Sequence, residues 1–172
     1  DGNSPLPIGD YLRRLENTPT AINVGLFVGH GTVRGHVMGL AARPPTASEL
    51  ERMRALVRQA MEDGAFGLSS GLEYTPGAYA DTDELVALAR ELVPYEGLYI
   101  SHLRNEGGQL LESVEELIQI AERAGVAAQI THHKVVGPDR WGRSTASLRL
   151  VEQARARGVD VTSDVYPYTA SS

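Results

Sequence analysis

The 172-residue chain contains no cysteine. That absence excludes a disulfide scaffold and a zinc module built on thiolates. Long hydrophobic runs are missing too. No apolar stretch approaches the ~20 residues that span a bilayer, and no signal peptide opens the chain. Positive charge is the minority sign, with 16 Lys and Arg against 22 Asp and Glu and a net charge of −6. A general nucleic-acid-binding face is therefore not expected. What is present is ordinary: 42% hydrophobic and 22% charged residues, an average soluble composition. That apolar content rules out a disordered chain, and the length suffices for one domain with a sizeable core. The expectation is a soluble, cytoplasmic protein. The chain opens Asp1-Gly2-Asn3-Ser4 rather than with Met and closes Thr169-Ala170-Ser171-Ser172, so it is expected to be processed or a piece of something longer.

Five short apolar stretches recur at residues 22–29, 65–69, 98–102, 127–132 and 160–164. Helical patterns lie between them. The order βαβαβαβαβ predicts an α/β fold with a parallel sheet. Thr46-Ala47-Ser48-Glu49 reads as a capping box, followed by an apolar face of Leu50, Met53, Val57, Ala60 and Met61 and a stop at Gly64. A second helix starts at Asp81/Thr82 and ends near Pro94. A third runs from about Gln109 to Ala124, and a fourth carries Leu148, Val151 and Ala154 up to Gly158. Loops entering strands are short. Loops leaving them, at 30–43, 70–81, 103–108 and 133–144, are long and hold the unusual residues. In parallel α/β folds the carboxyl ends of the strands form the functional face, so chemistry is expected there.

His102 ends the third predicted strand and His132 the fourth. Two neutral imidazoles projecting from neighbouring strands suit a divalent transition metal, zinc most often. The alternative for each is a hydrogen-bonded core histidine. Lys134 lies two residues beyond His132 and can fix a substrate carboxylate, or be a solvated loop lysine. Arg104 follows His102 in the same way, with a structural salt bridge to Glu106 as its alternative. The Gly29-His30-Gly31 segment permits a close backbone path to a ligand but lacks the GKS/T ending of a P-loop. His36 reads as a surface residue. Ser69 and Ser70 sit outside any GxSxG elbow, and Ser70-Gly71-Leu72-Glu73-Tyr74 reads as a substrate-lining loop, with Tyr74 and Tyr79 as polar contacts. Asp164 could serve as acid, base or loop-fixing residue.

Taken together, GHGTVRGHVMG, GAFGLSSGLEYTPGAYADTDEL, SHLRNE, ITHHKVVGPDRWG and DVTSDVYPYTASS resemble the D-aminoacylase (N-acyl-D-amino-acid deacylase) branch of the amidohydrolase superfamily. The resemblance runs in order from Tyr11 to the end. It implies a distorted (β/α)8 TIM-type barrel with a zinc centre (Zn2+) at the C-terminal rim. The implied reaction is hydrolysis of the N-acyl bond of small-molecule N-acyl-D-amino acids. By position, His102 and His132 match the two imidazole ligands on the fifth and sixth barrel strands, and His133 the second-shell histidine beside them. Lys134 matches a residue that holds the substrate carboxylate, and Tyr166 resembles an aromatic near it. Tyr74 and Ser70 are expected to line the substrate, and Arg104 and His30 to support the site from behind. Residues 1–172 would then form a single partial barrel of about five parallel strands, corresponding to barrel strands three to seven. The family's HxH pair, its cysteine ligand and its catalytic aspartate after strand eight have no counterpart here, and a complete barrel needs ~250 residues. The expectation is a chain without its catalytic residue, inactive alone and oligomeric through exposed sheet edges. Other amidohydrolase chemistry, on cyclic amides as in hydantoinase or dihydroorotase, and a non-catalytic carboxylate-binding domain are the competing readings.

Overall fold

The computed structural model describes residues 2–18 and 20–168. Its centre is one sheet of five strands: β1 (Phe27–Gly29), β2 (Gly67–Gly71), β3 (Leu98–His102), β4 (Ala127–Ile130) and β5 (Val161–Ser163). Every strand is parallel to its neighbours, and spatial order equals sequence order, β1-β2-β3-β4-β5. Each crossover therefore advances one position in the same sense, which is the winding of a barrel segment rather than of a doubly wound sheet.

The register explains which face is core. Val28, Leu68, Tyr99, Ala128 and Val161 pair in one continuous row across all five strands. All five are buried, beneath the flanking helices α3 (Ala47–Glu62), α4 (Thr82–Ala89), α5 (Leu110–Ala124) and α6 (Ser144–Ala156). Side chains alternate across a sheet, so the adjacent row of Ile100, Gln129 and Thr162 points to the opposite face. That face is half-buried to exposed. Burying each large apolar residue of the helix-side row contributes roughly 1.5–3 kcal/mol.

The predicted helix starts are borne out locally. Glu49 N–H donates to Thr46 Oγ1 at 3.3 Å and Thr46 N–H to Glu49 Oε2 at 2.8 Å, and Asp81 Oδ1 takes the Glu84 N–H at the start of α4. Two segments differ from expectation. Residues 30–38 are not a loop but a helix, α2 (His30–Met38). Its two internal glycines and β-branched residues give it little intrinsic propensity, and it is held by buried His30, Val33 and Arg34. The first apolar stretch yields only the three-residue β1, with Ile22 74% exposed, because β1 pairs on one side alone. A further helix, α1 (Ile8–Glu16), precedes it.

Candidate metal centre

His102 closes β3 and is buried. In the β3/β4 register Ser101 pairs with Ile130, so His102 is level with Thr131 and strict alternation would turn His132 to the other face. The chain avoids this by placing His132 in the left-handed region, at φ 43°, which a non-glycine residue adopts only when its surroundings hold it there. Asp164, just past β5, supplies the hold. Its Oδ1 accepts the His132 N–H at 2.5 Å, its backbone oxygen accepts the His133 N–H at 2.8 Å, and its other carboxylate oxygen accepts from the Gln129 amide. Of the three roles open to Asp164, the geometry shows the loop-fixing one.

The two imidazoles consequently meet, with His102 Nδ1 2.9 Å from His132 Nε2 and the rings edge to face. His102 Nε2 contacts Glu73 Oε2 at 2.9 Å. Behind His132, Lys134 Nζ lies 2.8 Å from its Nδ1 and 2.5 Å from Glu106 Oε2. Glu106 is buried, and its Oε1 is 3.0 Å from His132 Nδ1. The Tyr74 ring packs 4.8 Å from that of His102, and Tyr166 lies 6.4 Å from His132 and 5.7 Å from Lys134 Nζ. Partial burial and the carboxylates of Glu73 and Glu106 push the Tyr74 hydroxyl up from its ordinary pKa, so it stays a neutral donor.

The donor set fits a divalent transition metal. His102, Glu106 and His132 each offer a ligand atom, all within 4.8 Å of one another. Two imidazole nitrogens bound tetrahedrally to zinc at 2.0–2.1 Å stand about 3.3 Å apart. The facing pair at 2.9 Å needs to open by only a few tenths of an ångström.

The side chains of four residues expected at or behind the site hydrogen-bond to groups other than the two imidazoles. Ser70 pairs with Ser101 on the helix-facing side, where its Oγ meets Tyr99 Oη at 2.6 Å and Ser101 Oγ at 2.8 Å. Strand alternation turns it away from His102 and toward the helix side of the sheet. Burial pushes the Tyr99 hydroxyl up to about 12. His133 is buried with its Nε2 2.8 Å from Ser147 Oγ, pinning α6, and burial holds its pKa below the usual imidazole range. Arg104 does not pair with Glu106. Its guanidinium grips Glu116 of α5 at 2.8 and 2.9 Å and donates to the carbonyls of Ala78 and Ala80, tying down the loop that carries Glu73 and Tyr74. His30 is fully buried against Glu84 at 2.8 Å. His36 and Tyr79 are exposed. Glu73 and Glu106 were not singled out in advance. Glu106 is the one carboxylate in the 103–108 loop, and Glu73 the first after β2; their closeness to the strand ends is the signal that marks them.

No family model matches the chain. D-aminoacylase of Alcaligenes xylosoxydans xylosoxydans is 42% identical over 163 residues, covering 95% of this chain and 34% of that protein. N-acyl-D-glutamate deacylase of the same organism is 41% identical over 173 residues, 99% and 36% of the two chains. The solved N-acyl-D-glutamate deacylase of Bordetella bronchiseptica, complexed with zinc and a phosphonate mimic of the tetrahedral intermediate, is 40% identical, with TM-score 0.91 over 97% of this chain and 36% of that one. Over nearly its whole length the chain is similar to D-aminoacylases of the amidohydrolase family. It spans about a third of the length of the curated relatives it matches. L-hydantoinase from Arthrobacter aurescens, 15% identical with TM-score 0.55 over 93% of this chain and 36% of that one, shares the fold alone. The expected partial barrel is thus borne out. Among the described residues no helix is long and apolar enough to cross a membrane.

Proposed function

We propose that this segment of a D-aminoacylase relative supplies half of a zinc centre and the carboxylate grip of an N-acyl-D-amino-acid deacylase. In this reading His102 Nδ1 and His132 Nε2 are ligands, and Lys134 binds the substrate carboxylate beneath Tyr166. The observation that carries it is the facing pair of ring nitrogens, 2.9 Å apart on adjacent parallel strands, with an ammonium group behind one of them. A bound cation would supply an activated water and polarise the acyl carbonyl. The chain's own residues do the rest. Lys134 presents a point charge to the substrate carboxylate, and the Tyr166 face stabilises that charge. Tyr74 walls the cleft beside His102, and Glu73 orients the His102 ring through Nε2. Relatives bearing D-aminoacylase and N-acyl-D-glutamate deacylase names support this substrate class.

A catalytic zinc takes three protein ligands and leaves a position open, and two imidazoles alone do not complete it. The isolated chain is therefore expected to bind metal without turnover. Zinc stoichiometry on the purified chain tests the first part: about one zinc per chain, lost in both His102→Ala and His132→Ala. Retention of zinc in either variant would remove that imidazole from the site. Metal-dependent release of acetate from N-acetyl-D-amino acids by the chain alone would refute the second part.

A further inference from the structure

We propose that Arg104 is a positioning residue for the ligand: its guanidinium holds the loop of residues 72–80 so that the Tyr74 ring stands as a wall of the cleft. This deepens the reading above, in which Tyr74 lines the cleft beside His102, and rests on it.

Tyr74 does not hold itself in place. It is 50% exposed, with its ring 4.8 Å from that of His102, so the backbone beneath it sets where the ring stands. That backbone folds back on its own start. Tyr74 N–H donates to the Gly71 carbonyl at 3.3 Å, and Ala78 N–H donates to the Tyr74 carbonyl at 2.8 Å. A Cβ on Gly77 would stand 2.6 Å from the Gly71 oxygen, so only glycine lets the chain return this closely to the end of β2. Leu72 N–H donates to the His102 carbonyl at 3.2 Å and anchors the near end of the loop.

Arg104 anchors the far end. It lies two residues beyond His102, with its side chain 30% exposed. Nη1 donates to the Ala78 carbonyl at 3.2 Å and Nη2 to the Ala80 carbonyl at 2.9 Å. Nε and Nη2 also meet the two oxygens of Glu116 on α5 at 2.8 and 2.9 Å. Glu116 Oε1 accepts in turn from Thr82 Oγ1 at 3.0 Å, at the first residue of α4. One guanidinium thus joins α5, the start of α4 and the loop. Ala78 is the shared link. Its carbonyl accepts from Arg104, and its N–H donates to Tyr74.

A structural ion pair between Arg104 and Glu116 is the competing account. Such a pair needs one positive charge beside one carboxylate. It has no use for two backbone carbonyls of another loop. The planar fork of arginine reaches the carboxylate and both carbonyls together, whereas lysine offers the same charge as a single point. Arg104→Lys therefore separates the two accounts.

Hydrogen exchange reads the clamp without any ligand. In Arg104→Lys the Ala78 and Ala80 amides should exchange faster, with those inside α5 unchanged. Calorimetry of N-acetyl-D-leucine on the zinc-loaded chain reads the consequence. Tyr74→Ala and Arg104→Lys should each weaken binding about 2–10-fold, the size of one aromatic contact, while zinc affinity in Arg104→Lys stays at the wild-type level. The two substitutions together should weaken it no more than Tyr74→Ala alone, because Arg104 acts through the ring. A structural ion pair would lower the melting temperature and leave ligand affinity untouched. Ala78 and Ala80 amides that exchange freely in the wild-type chain, wild-type exchange in Arg104→Lys, or ligand losses that multiply in the double variant would each overturn this inference and leave the proposed function standing. A wild-type zinc-loaded chain that binds no N-acetyl-D-leucine overturns both.

Discussion

Glu84→Leu should be among the most damaging single substitutions in the chain, although Glu84 touches no proposed ligand. Its carboxylate is buried at the start of α4 and holds two buried partners at once, Arg34 Nη1 at 2.6 Å and His30 Nε2 at 2.8 Å. Arg34 is fully buried and spends its other terminal nitrogen on the carbonyls of Ala41 and Arg43. Removing Glu84 strands a guanidinium in the interior, and breaking a buried pair from one side costs about 3–5 kcal/mol. For a chain of this length a loss of ~4 kcal/mol lowers the melting temperature by roughly 8–16 °C. Replacing both partners, as Arg34→Met with Glu84→Leu, removes the orphaned charge. The double variant should recover all but the ~1–3 kcal/mol of the imidazole donor left without an acceptor. Urea denaturation of the two single variants and the double variant measures this. A Glu84→Leu chain within ~1 kcal/mol of wild type, or a double variant less stable than Glu84→Leu, would refute the claim that Arg34 depends on this carboxylate.

Two shorter predictions separate scaffold from site. His133 is held neutral by burial, donating to Ser147, with its pKa below the usual imidazole value. As pH falls the unfolded chain takes up the proton first, so the stability His133 contributes is complete above ~6.5 and drains away as pH drops through the lower folded value. The melting temperature should fall from pH 7 to pH 5 with a slope that flattens in His133→Gln; an unchanged slope sinks the assignment. Ser70→Ala removes one of the two serine partners of the buried Tyr99 hydroxyl and should cost about 0.5–1.5 kcal/mol while zinc uptake stays at the wild-type level. A loss of zinc matching that of His102→Ala would return Ser70 to the cleft.

What the sequence revealed and what it concealed divide along one line. Local chemistry was legible. The Thr46–Glu49 box, the Asp81 cap and the apolar stretches depend on residues a few positions apart; the caps appear where expected and each stretch holds a strand, the first shortened to Phe27–Gly29. Side-chain direction at the strand ends was not. Ser70 and His102 both sit at strand ends, yet one faces the helices and the other the cleft, and only the pairing Ser70↔Ser101, Gly71↔His102 distinguishes them. Arg104 belongs to Glu116 rather than Glu106 because α5 brings that carboxylate back over the loop. Helix α2 was hidden by its glycines and is paid for by partners some fifty residues away.

His132 shows why the spacing argument succeeded for a reason other than the one it used. Equal positions in consecutive βα units suggest equal direction, but the register puts His102 and His132 out of phase. Agreement is restored by a left-handed residue, itself held by an aspartate 32 positions downstream. The same non-local construction sets the charge of the cleft. Glu73, Glu106 and Asp164 outweigh Lys134 by two formal negative charges around the two imidazoles. Such a site attracts a divalent cation, and once it holds one the excess negative charge is cancelled. In the proposed reading that neutralisation lifts the repulsion of an anionic N-acyl amino acid, and it favours metal before substrate. The expected outcome is that N-acetyl-D-alanine binds the zinc-loaded chain more tightly than the zinc-free chain, with Lys134→Met reducing that gain. Equal affinity with and without zinc in a calorimetric titration would refute this order.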